Sequence, residues 1–489
     1  MRNFTCESRR ASGFCDRYYV AFALAILSLA LFNLTFRLGS EFVNEWDESL
    51  YGISAWEAVN KGSWIGTTFL GELDYYNTKP PLMVWLIALA FKAFGASLVS
   101  LRLASVISAW LTVAILQHWT KRCFGSFVAL LASLVLATTF GFVYVHSGRS
   151  AATDAPFTLV ILLTVVTLWA EVDRPGRRIW LGPLLAAAFL LRGMAVLMPL
   201  GLVIVVDLSR RQGRTTVSRP TLVALALFLL PVGAWLAARH HVDGWMFVER
   251  LFMYDFVARS VRPIEEHPGG PLYYLGILQK HQYDWLLAGA VASLLFPLPW
   301  RDLRRLVADW RDRDGLRMLL AAWAGVTLLI PTLMQTKVPW YLNTFYPVFA
   351  LGLALSLARG FSAAATVRAA HWRPAANVAA FVVALGVAEA KLLWYSFHYR
   401  DIRLSEQSLM LAERHQLRGH QVYLEPHTRA AHFVAEALVG AVPRRAADRA
   451  GFLRDSHEGD YLLTTHACQM PEMRRVQSNG RQFLCRRQD

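Results

Sequence analysis

Two segments near the N-terminus combine residue types that could move a proton and hold an anion. Residues 45–48 read Glu-Trp-Asp-Glu. A carboxylate beside aromatic rings in a partly desolvated cleft gains basicity, so Asp47 or Glu48 could serve as a general base. Residues 75–81 read Tyr-Tyr-Asn-Thr-Lys-Pro-Pro and place Lys79 at a predicted helix start. The helix dipole disfavours a cation there unless an anion lies between them, so Lys79 could hold a phosphate. A solvated acidic loop and a snorkelling lysine are the alternative interpretations.

A later pair of helix ends could add a second acid and a second cation. Residues 146–149 read His-Ser-Gly-Arg, and Asp154 follows at the start of the next apolar run. One interpretation is an ion pair between Arg149 and Asp154 that joins two helices. The other is that both side chains extend the same external cleft as Asp47 and Lys79.

Two further loops carry basic, acidic and aromatic residues. The loop at 249–274 contains Arg259 and the tripeptide Glu-Glu-His at 265–267, which could ligate a divalent ion, although interfacial polar residues are the commoner explanation. Residues 335–341 place Lys337 near another predicted helix start, followed by Tyr341. Most aromatic residues here are expected to form an interface belt.

A membrane domain has to position these residues. Of the 489 residues, 55% are hydrophobic and 17% charged, and the mean hydropathy is +0.34. Soluble domains carry about a quarter charged residues. Apolar runs that could cross about 30 Å of hydrocarbon recur along the chain, which excludes a soluble enzyme, a disordered chain and a small disulfide scaffold. Basic cytoplasmic loops account for the net charge of +15, and no aromatic-interleaved basic stripe indicates nucleic-acid binding.

The hydropathy pattern predicts about eleven crossings, and a window-based count could reach thirteen. If the short stretch 80–94 crossed, the basic loops after it would be inverted, so we expect it to lie along the interface. The N-terminus is then cytoplasmic and the acid-rich segment 37–79 external. The predicted crossings are 18–36, 98–118, 124–144, 153–170, a pair of short helices within 180–208 that turns at Arg192-Gly193, 221–238, 285–299, 316–334, 341–358 and 377–394.

The composition changes after residue 396, which predicts a transmembrane domain at 1–396 and a small external α/β domain at 397–489. Helices are expected at 404–417 and 429–438, and strands at 421–424, 460–464 and 482–485. Cys468 and Cys485 fall outside and could form a disulfide, whereas Cys6, Cys15 and Cys123 face the reducing side. The sequence contains no CxxC or HExxH motif.

The order of the motifs resembles that of one family. Asp-Glu-x-x-Tyr at 47–51, Lys-Pro-Pro at 79–81, Arg…Asp-x-Pro at 149–156, the Glu-His loop and Lys-x-Pro-x-Tyr at 337–341 follow one another on one predicted membrane face. This order resembles that of bacterial membrane glycosyltransferases that use polyprenyl-phosphate sugars, similar to lipid A aminoarabinose transferases and protein O-mannosyltransferases. No single motif is specific, but the ordered set extends over essentially the whole chain.

The resemblance implies a polytopic α-helical membrane protein of the GT-C type, with interfacial helices in the first external loop and an active site at the outer leaflet. By position, Asp47 matches the catalytic carboxylate, with Glu48 beside it, and Asp154 matches a second acid. His267 matches a histidine linked to a metal in some relatives, which makes a divalent cofactor an open expectation. Residues expected at the donor phosphate and lipid are Lys79, Tyr51, Tyr76, Arg149, Arg192, Arg259, Lys337 and Tyr341.

Three positions depart from the aminoarabinose transferases. Those proteins carry an Arg where Leu50 stands, a Glu where Thr78 stands and a Lys where Arg192 stands. The first change weakens the assignment of the phosphate site, and the second puts a bound metal in doubt. Together they suggest a different sugar or acceptor.

The residues and the resemblance agree on one mechanism. Asp47, with Asp154 as the competing candidate, would deprotonate an acceptor, and Lys79 would stabilise the departing polyprenyl phosphate, with inversion at the anomeric carbon. The acceptor would be a glycolipid such as lipid A, a glycan or a protein. We expect these residues to share one pocket on the periplasmic side of the bacterial inner membrane, next to an apolar groove for the isoprenoid. A lipid flippase or transporter is the alternative, which would place ionisable residues near the middle of the bilayer.

Overall fold

The computed structural model describes residues 14–211, 218–263, 267–296, 315–364 and 372–488. Several residues named above lie outside the described residues: Glu265 and Glu266 of the proposed metal loop, Cys6, and residues 297–299 at the end of the predicted crossing 285–299. The described residues fall into two compact units, and each is treated by itself. The first comprises Met1–Thr35, Thr78–Leu82 and Ser105–Leu393, and the second comprises Phe36–Asn77, Met83–Ala104 and Trp394–Asp489.

Apolar helices build the first unit. Six described helices are long and apolar enough to cross a membrane, so the chain is a multi-pass membrane protein, and the count of eleven to thirteen crossings stays a prediction. The α-helices that contribute to this unit are Tyr19–Thr35, Leu98–Phe124, Ser126–Ala137, Phe140–Tyr144, Asp154–Ala170, Leu181–Arg192, Leu197–Arg211, Arg219–Asp243, Met246–Glu249, Arg259–Val261, Tyr273–Leu295, Leu316–Leu333, Tyr346–Ala364 and Trp372–His398. Its 3₁₀ segments are Pro175–Trp180, Gly193–Val196 and Pro339–Leu342, and Arg250–Ala258 is π-helical.

The break at Arg192-Gly193 is confirmed. The helix Leu181–Arg192 ends there, and a 3₁₀ turn leads into Leu197–Arg211. Gly193 has a φ of +56°, a backbone conformation that residues with a side chain rarely adopt. A Cβ added at this position would lie 2.7 Å from a side-chain carbon of Leu251. Both the backbone conformation and the close packing therefore require glycine at this turn.

Three predicted crossings have different bounds in the structure. The stretch 124–144 is divided into two helices at Thr138 and Thr139, whose hydroxyls donate to carbonyl oxygens of the preceding turn. The stretch 341–358 begins as a 3₁₀ turn and becomes an α-helix only at Tyr346. The helix predicted at 285–299 begins at Tyr273 and has a kink at Gln282. Hydropathy misses these features because it measures apolar character and not local hydrogen bonding.

The second unit combines segments that are far apart in the chain. The first external segment forms the 3₁₀ turn Leu38–Ser40, the helix Asp47–Lys61 and a short hairpin of β1 (Thr68–Phe69) and β2 (Glu72–Leu73). The helix Leu82–Phe94 follows; its 13 residues rise only about 20 Å, which is too short for a full crossing. This length agrees with the prediction of a non-spanning helix.

The C-terminal segment forms a mixed five-stranded sheet with the order β4-β3-β5-β7-β6. Strand β3 pairs in parallel with β4 and β5, and β7 is antiparallel to β5 and β6. The strands are β3 Gln421–Glu425, β4 Val442–Arg445, β5 Tyr461–Thr464, β6 Met473–Ser478 and β7 Phe483–Arg487. Its helices are Gln407–Ala412, Arg414–Leu417, Arg429–Phe433 and Arg449–Asp455, with a 3₁₀ turn at Ile402–Leu404 and a π-helical segment at Val434–Val439.

The predicted α/β character of this segment is confirmed, and a disulfide joins Cys468 to Cys485. Phe452, Leu462 and Cys485 are fully buried in its core. The sequence reasoning missed β4, β6 and the helix Arg449–Asp455. Strand β4 is an edge strand that contains Pro443, and such a strand has a weak sequence signal. The domain boundary at residue 397 stays a prediction.

Candidate active site

Lys79 is held by a carboxylate that the sequence analysis overlooked. Its ammonium donates to both carboxylate oxygens of Asp255, at 2.7 and 2.8 Å. The guanidinium of Arg259 donates to the same carboxylate from one turn further along, at 3.1 Å. The α-helix after Lys79 begins at Leu82, so the ammonium lies before the helix and not within its first turn. The anion beside Lys79 in this structure is therefore a side chain.

The environment of Asp255 keeps it ionised. Burial would raise the pKa of this carboxyl, but the positive charges of Lys79 and Arg259 outweigh burial and hold the pKa below its ordinary value. Asp255 lies on the π-helical segment Arg250–Ala258, an arrangement that is frequent at functional sites. Asp255 therefore acts as a fixed anion that orients two cations.

Asp154 forms the second carboxylate–cation pair of the same unit. It begins the helix Asp154–Ala170, where the positive end of the helix dipole favours a carboxylate. The guanidinium of Arg192 donates to Asp154 Oδ1 at 2.6 Å, and the Asp154 side chain is only 1% exposed. The turn at Gly193 places Arg192 at the end of its helix. The ring of His146 lies nearby, with Nδ1 3.9 Å from Asp154 Oδ2.

Tyr341 connects the two pairs. The guanidinium of Arg192 lies over its ring at 5.2 Å from the centroid. Burial raises the pKa of the Tyr341 hydroxyl, and the charges of Arg192, Arg259, Asp255 and Asp154 all act on it. The hydroxyl is therefore protonated at neutral pH and available as a hydrogen-bond donor.

These side chains form one site, which we call the Lys79 cluster. Its members are Lys79, Asp154, Arg192, Asp255, Arg259 and Tyr341. Three cations surround two carboxylates, so the cluster carries one excess positive charge. Such an arrangement suits a phosphate, because the cations are held in place before the ligand arrives.

The segment that leads to Tyr341 contains Lys337 and Trp340, and both contact His267. The ammonium of Lys337 donates to the carbonyl oxygens of Thr332 and Met334, at the end of the helix Leu316–Leu333. Burial lowers the pKa of Lys337. The backbone N–H of Lys337 donates to the His267 carbonyl at 3.0 Å. These contacts suit a lysine that caps a helix and positions its loop, while the predicted role at the donor lipid stays a prediction.

Trp340 lies between two histidines. Its ring stacks on His146 at 4.3 Å between centroids and meets the His267 ring edge-on at 6.4 Å. Among the described residues, which omit 264–266, no group of three His, Cys, Asp or Glu side chains is placed to hold a metal ion. The described residues therefore supply no cation site, we assign no step to a metal, and the role of His267 stays a prediction.

Arg149 is fully buried and ties two segments together. Its guanidinium donates to the backbone carbonyl of Asn33 at 2.7 Å and lies over the Tyr144 ring. Asn33 in turn donates to Glu389 at 3.0 Å. These contacts suit a structural residue of the helix bundle, and a contact of Arg149 with the donor stays a prediction.

In the second unit, Glu48 is a buried structural anion. Its carboxylate accepts hydrogen bonds from Arg102 at 2.7 and 3.2 Å and from Arg400 at 3.4 Å. Burial would raise the pKa of Glu48, but the two arginines lower it to about 2. Arg102 also donates to the carbonyl oxygens of Leu38, Glu41 and Phe42. A carboxylate so strongly held in its ionised form is a poor proton acceptor, which leaves Asp47 as the better candidate base of the pair.

Asp47 is differently placed. It is the first residue of the helix Asp47–Lys61 and is half-buried. The preceding Trp46 stacks on Tyr76 at 6.1 Å between centroids, and the Arg429 guanidinium lies 4.8 Å from the centroid of the same tyrosine ring. Tyr51 is buried within the helix. Neighbouring Glu45 accepts from the backbone N–H groups of Arg429 and Ala430, which fixes the entrance of the Asp47 helix.

The structure brings together Lys79, Asp154, Arg192, Arg259 and Tyr341 of the predicted site residues. The prediction that Asp47 joins them in one pocket stays a prediction. Sequence reasoning missed Asp255, although the acid stands four residues before Arg259, a spacing typical of ion pairs on a helix. Arg102, the partner of Glu48, could also have been found, because an arginine inside an apolar run indicates a buried partner.

Comparison with solved structures identifies the class of fold. The chain matches the crystal structure of ArnT from Cupriavidus metallidurans bound to undecaprenyl phosphate with a TM-score of 0.69 and 15% identity, covering 95% of this chain and 98% of that one. It matches the apo oligosaccharyltransferase of Archaeoglobus fulgidus with a TM-score of 0.57 and 14% identity, covering 90% and 66%. The predicted GT-C-type fold is confirmed.

Sequence comparison points to more particular relatives. Residues 78–237 match the family described as dolichyl-phosphate-mannose-protein mannosyltransferase. An undecaprenyl phosphate-alpha-4-amino-4-deoxy-L-arabinose arabinosyl transferase of Pseudomonas aeruginosa is 29% identical over 308 residues, covering 60% of this chain and 52% of the relative. The counterpart of Pseudomonas savastanoi pv. phaseolicola is 28% identical, covering 65% and 58%. The predicted resemblance is confirmed, and the chain spans about half the length of the curated relatives it matches.

Proposed function

We propose that this protein is a glycosyltransferase that moves a sugar from a polyprenyl-phosphate donor to an acceptor hydroxyl or phosphate. The Lys79 cluster carries the proposal, because its three fixed cations and the Tyr341 hydroxyl suit the phosphate of such a donor. The similarity to transferases named for undecaprenyl phosphate supports the same class of donor.

The proposed reaction is an inverting displacement. The acceptor oxygen forms a bond to the anomeric carbon from the face opposite the phosphate. The bond between that carbon and the phosphate oxygen breaks, and its electron pair leaves with the polyprenyl phosphate. Lys79, Arg192 and Arg259 stabilise the developing charge, while Tyr341 donates a hydrogen bond to a phosphate oxygen. A fixed donor of this kind contributes about two to three orders of magnitude in rate.

Asp47 is the proposed base. It is half-buried at the start of a helix, whereas Glu48 is already bound by two arginines. Asp154 is the competing candidate, although its pairing with Arg192 favours a role in orienting that cation. A correctly placed base contributes about two to four orders of magnitude.

The proposed location is the inner membrane of a bacterium, with the active site and C-terminal segment in the periplasm. Basic side chains at residues 121–122 and 174–178 support a cytoplasmic position for those helix ends by the positive-inside rule. The acceptor is proposed to be a glycolipid such as lipid A, a glycan or a protein.

Transfer can be measured in membranes from cells that express the chain, supplied with a panel of polyprenyl-phosphate sugars. Mass spectrometry of lipids and envelope glycans from cells with and without the protein would identify the added mass. A sugar that appears only with the active protein and disappears in Asp47→Asn supports the proposal. Unchanged glycans together with lipid movement across the bilayer would instead support the transporter alternative.

A further inference from the structure

A cavity lies at the end of the first unit that is away from the Lys79 cluster. Its volume is about 300 Å³, near the lower end of the sizes of small-molecule sites. Two helices and one 3₁₀ segment line it: Leu98–Phe124, Asp154–Ala170 and Pro175–Trp180. The lining residues are Ala114, Ile115, His118, Trp119, Arg122, Val166, Trp169, Ala170 and Arg177. We call this the Arg122 cavity.

The Arg122 cavity is remote from the Lys79 cluster. Asp154 begins the helix Asp154–Ala170, and Ala170 ends it. Sixteen residue steps along an α-helix span about 24 Å, close to the thickness of the hydrocarbon core. The two sites therefore face opposite ends of the membrane-spanning helices, and a ligand of the Lys79 cluster cannot also fill the Arg122 cavity.

Basic side chains supply the polar lining of the cavity. Arg122, Arg177 and His118 are exposed side chains in its lining. Within the described ranges, neither arginine forms an ion pair with a carboxylate. Trp119 is 1% exposed, and its indole N–H has no hydrogen-bond partner among the described residues. The ring of Trp119 packs edge-on against Trp169 and Trp323, and its nitrogen is closed off from the cavity. The basic side chains therefore supply the polar contacts of the cavity.

Two acidic residues near the end of the helix Asp154–Ala170 form ion pairs, and the exposed Asp173 is the third acid of this region. Glu171, which follows the helix Asp154–Ala170, pairs with Arg178 and with Arg210 at 2.9 Å. Asp207 pairs with Arg178 as well. The negative ends of two helix dipoles also lie here, and the arginines Arg122 and Arg177 offset them. The remaining charge at the cavity is positive.

We propose that the Arg122 cavity binds the phosphate group of an anionic phospholipid. The two arginines would pair with the phosphate. The apolar wall of Ala114, Ile115 and Val166 would contact the glycerol and the upper acyl chain. Basic pockets between helices at the positively charged end of a membrane protein are suited to anionic headgroups, and tryptophan is favoured at the membrane interface.

The test uses full-length protein in detergent, titrated with dioctanoyl phosphatidylglycerol, with dioctanoyl phosphatidylcholine of equal chain length, and with inorganic phosphate. Binding is followed by native mass spectrometry and by the shift in unfolding temperature. Arg122→Gln/Arg177→Gln removes both charges, and Trp119→Phe removes only the N–H. Arg174→Gln is the matched control, since Arg174 is an exposed neighbour that does not line the cavity.

Phosphatidylglycerol should bind more tightly than phosphatidylcholine. Each arginine should contribute about fivefold in affinity, so the double variant should lose roughly 25-fold. Trp119→Phe should keep the wild-type affinity, because the lost N–H is closed off from the cavity. Arg174→Gln should bind like the wild type. Equal affinities for the two lipids, or undiminished phosphatidylglycerol binding by a double variant that elutes normally in size-exclusion chromatography, would overturn the proposal. Arginine-dependent binding of inorganic phosphate that matches phosphatidylglycerol would overturn the assignment to a lipid and assign a free-phosphate site.

Discussion

Removal of the Lys79 ammonium tests the proposed function most directly. The ammonium contacts both oxygens of Asp255 and is one of three cations in the Lys79 cluster. Lys79→Ala should lower kcat/KM for the polyprenyl-phosphate donor by about 10²- to 10³-fold, the usual loss for one preorganised charge-stabilising donor. Folding should be little affected, because Asp255 keeps its contact with Arg259 at 3.1 Å.

A variant of Asp255, the partner of Lys79, distinguishes a loss of phosphate binding from a loss of Lys79 positioning. Asp255→Asn removes the negative charge that orients the ammonium, so we expect a smaller loss than with Lys79→Ala, expressed mainly in kcat. If Asp255 acts through Lys79, the double variant should be no worse than Lys79→Ala alone, because residues that act as a unit are not additive. Additive losses would show that Asp255 has a separate role.

The assay is the initial rate of sugar transfer in detergent-solubilised membranes, with donor concentration varied at a fixed acceptor concentration. Lys280→Ala is the matched control, since Lys280 is an exposed lysine outside the cluster. Expression and size-exclusion profiles confirm that each variant is folded. An unaltered kcat/KM for the donor in Lys79→Ala would refute the assignment of this lysine to the phosphate.

Three further predictions concern the base, the buried anion and the metal. Asp47→Asn should reduce transfer by about 10²- to 10⁴-fold at normal expression, while the exposed Asp173→Asn should transfer normally; rates in membranes decide this. Glu48→Gln leaves Arg102 buried without its main carboxylate and should destabilise the fold by about 3–5 kcal/mol, seen in thermal unfolding. Burial raises the pKa of Glu48 but the two arginines lower it to about 2, from about 4.3 when unfolded. Its stabilisation is therefore full above about pH 5 and is lost as the pH falls from there through 2, a loss that Glu48→Gln should lack. If His267 holds a divalent ion, EDTA should abolish transfer and the ion should restore it; transfer unchanged by EDTA would remove this role from His267.

Local rules predicted much of the helical fold. Apolar runs gave most of the membrane helices, because a helix that crosses lipid must be apolar along its length. The turn at Arg192-Gly193 was predicted because these two residues interrupt an apolar run, and the structure shows a positive φ at Gly193 that favours glycine. The strands β3, β5 and β7 follow from short alternating or apolar runs. Strand β4 was missed, because an edge strand that contains proline resembles a turn.

The partners of the charged residues depended on tertiary structure. Lys79 and Asp255 are 176 residues apart in the chain, and Arg102 and Glu48 are 54 apart. Sequence alone predicted Lys79 at a helix start with a phosphate as the neighbouring anion, whereas in the structure the lysine precedes the helix and the anion is a side chain. It could not name Asp255, because an ion pair is decided by which helix ends pack together, and hydropathy gives the length of a helix but not its neighbours. Residue types and their order therefore determined the class of chemistry, while the packing of the helices decided which charges meet.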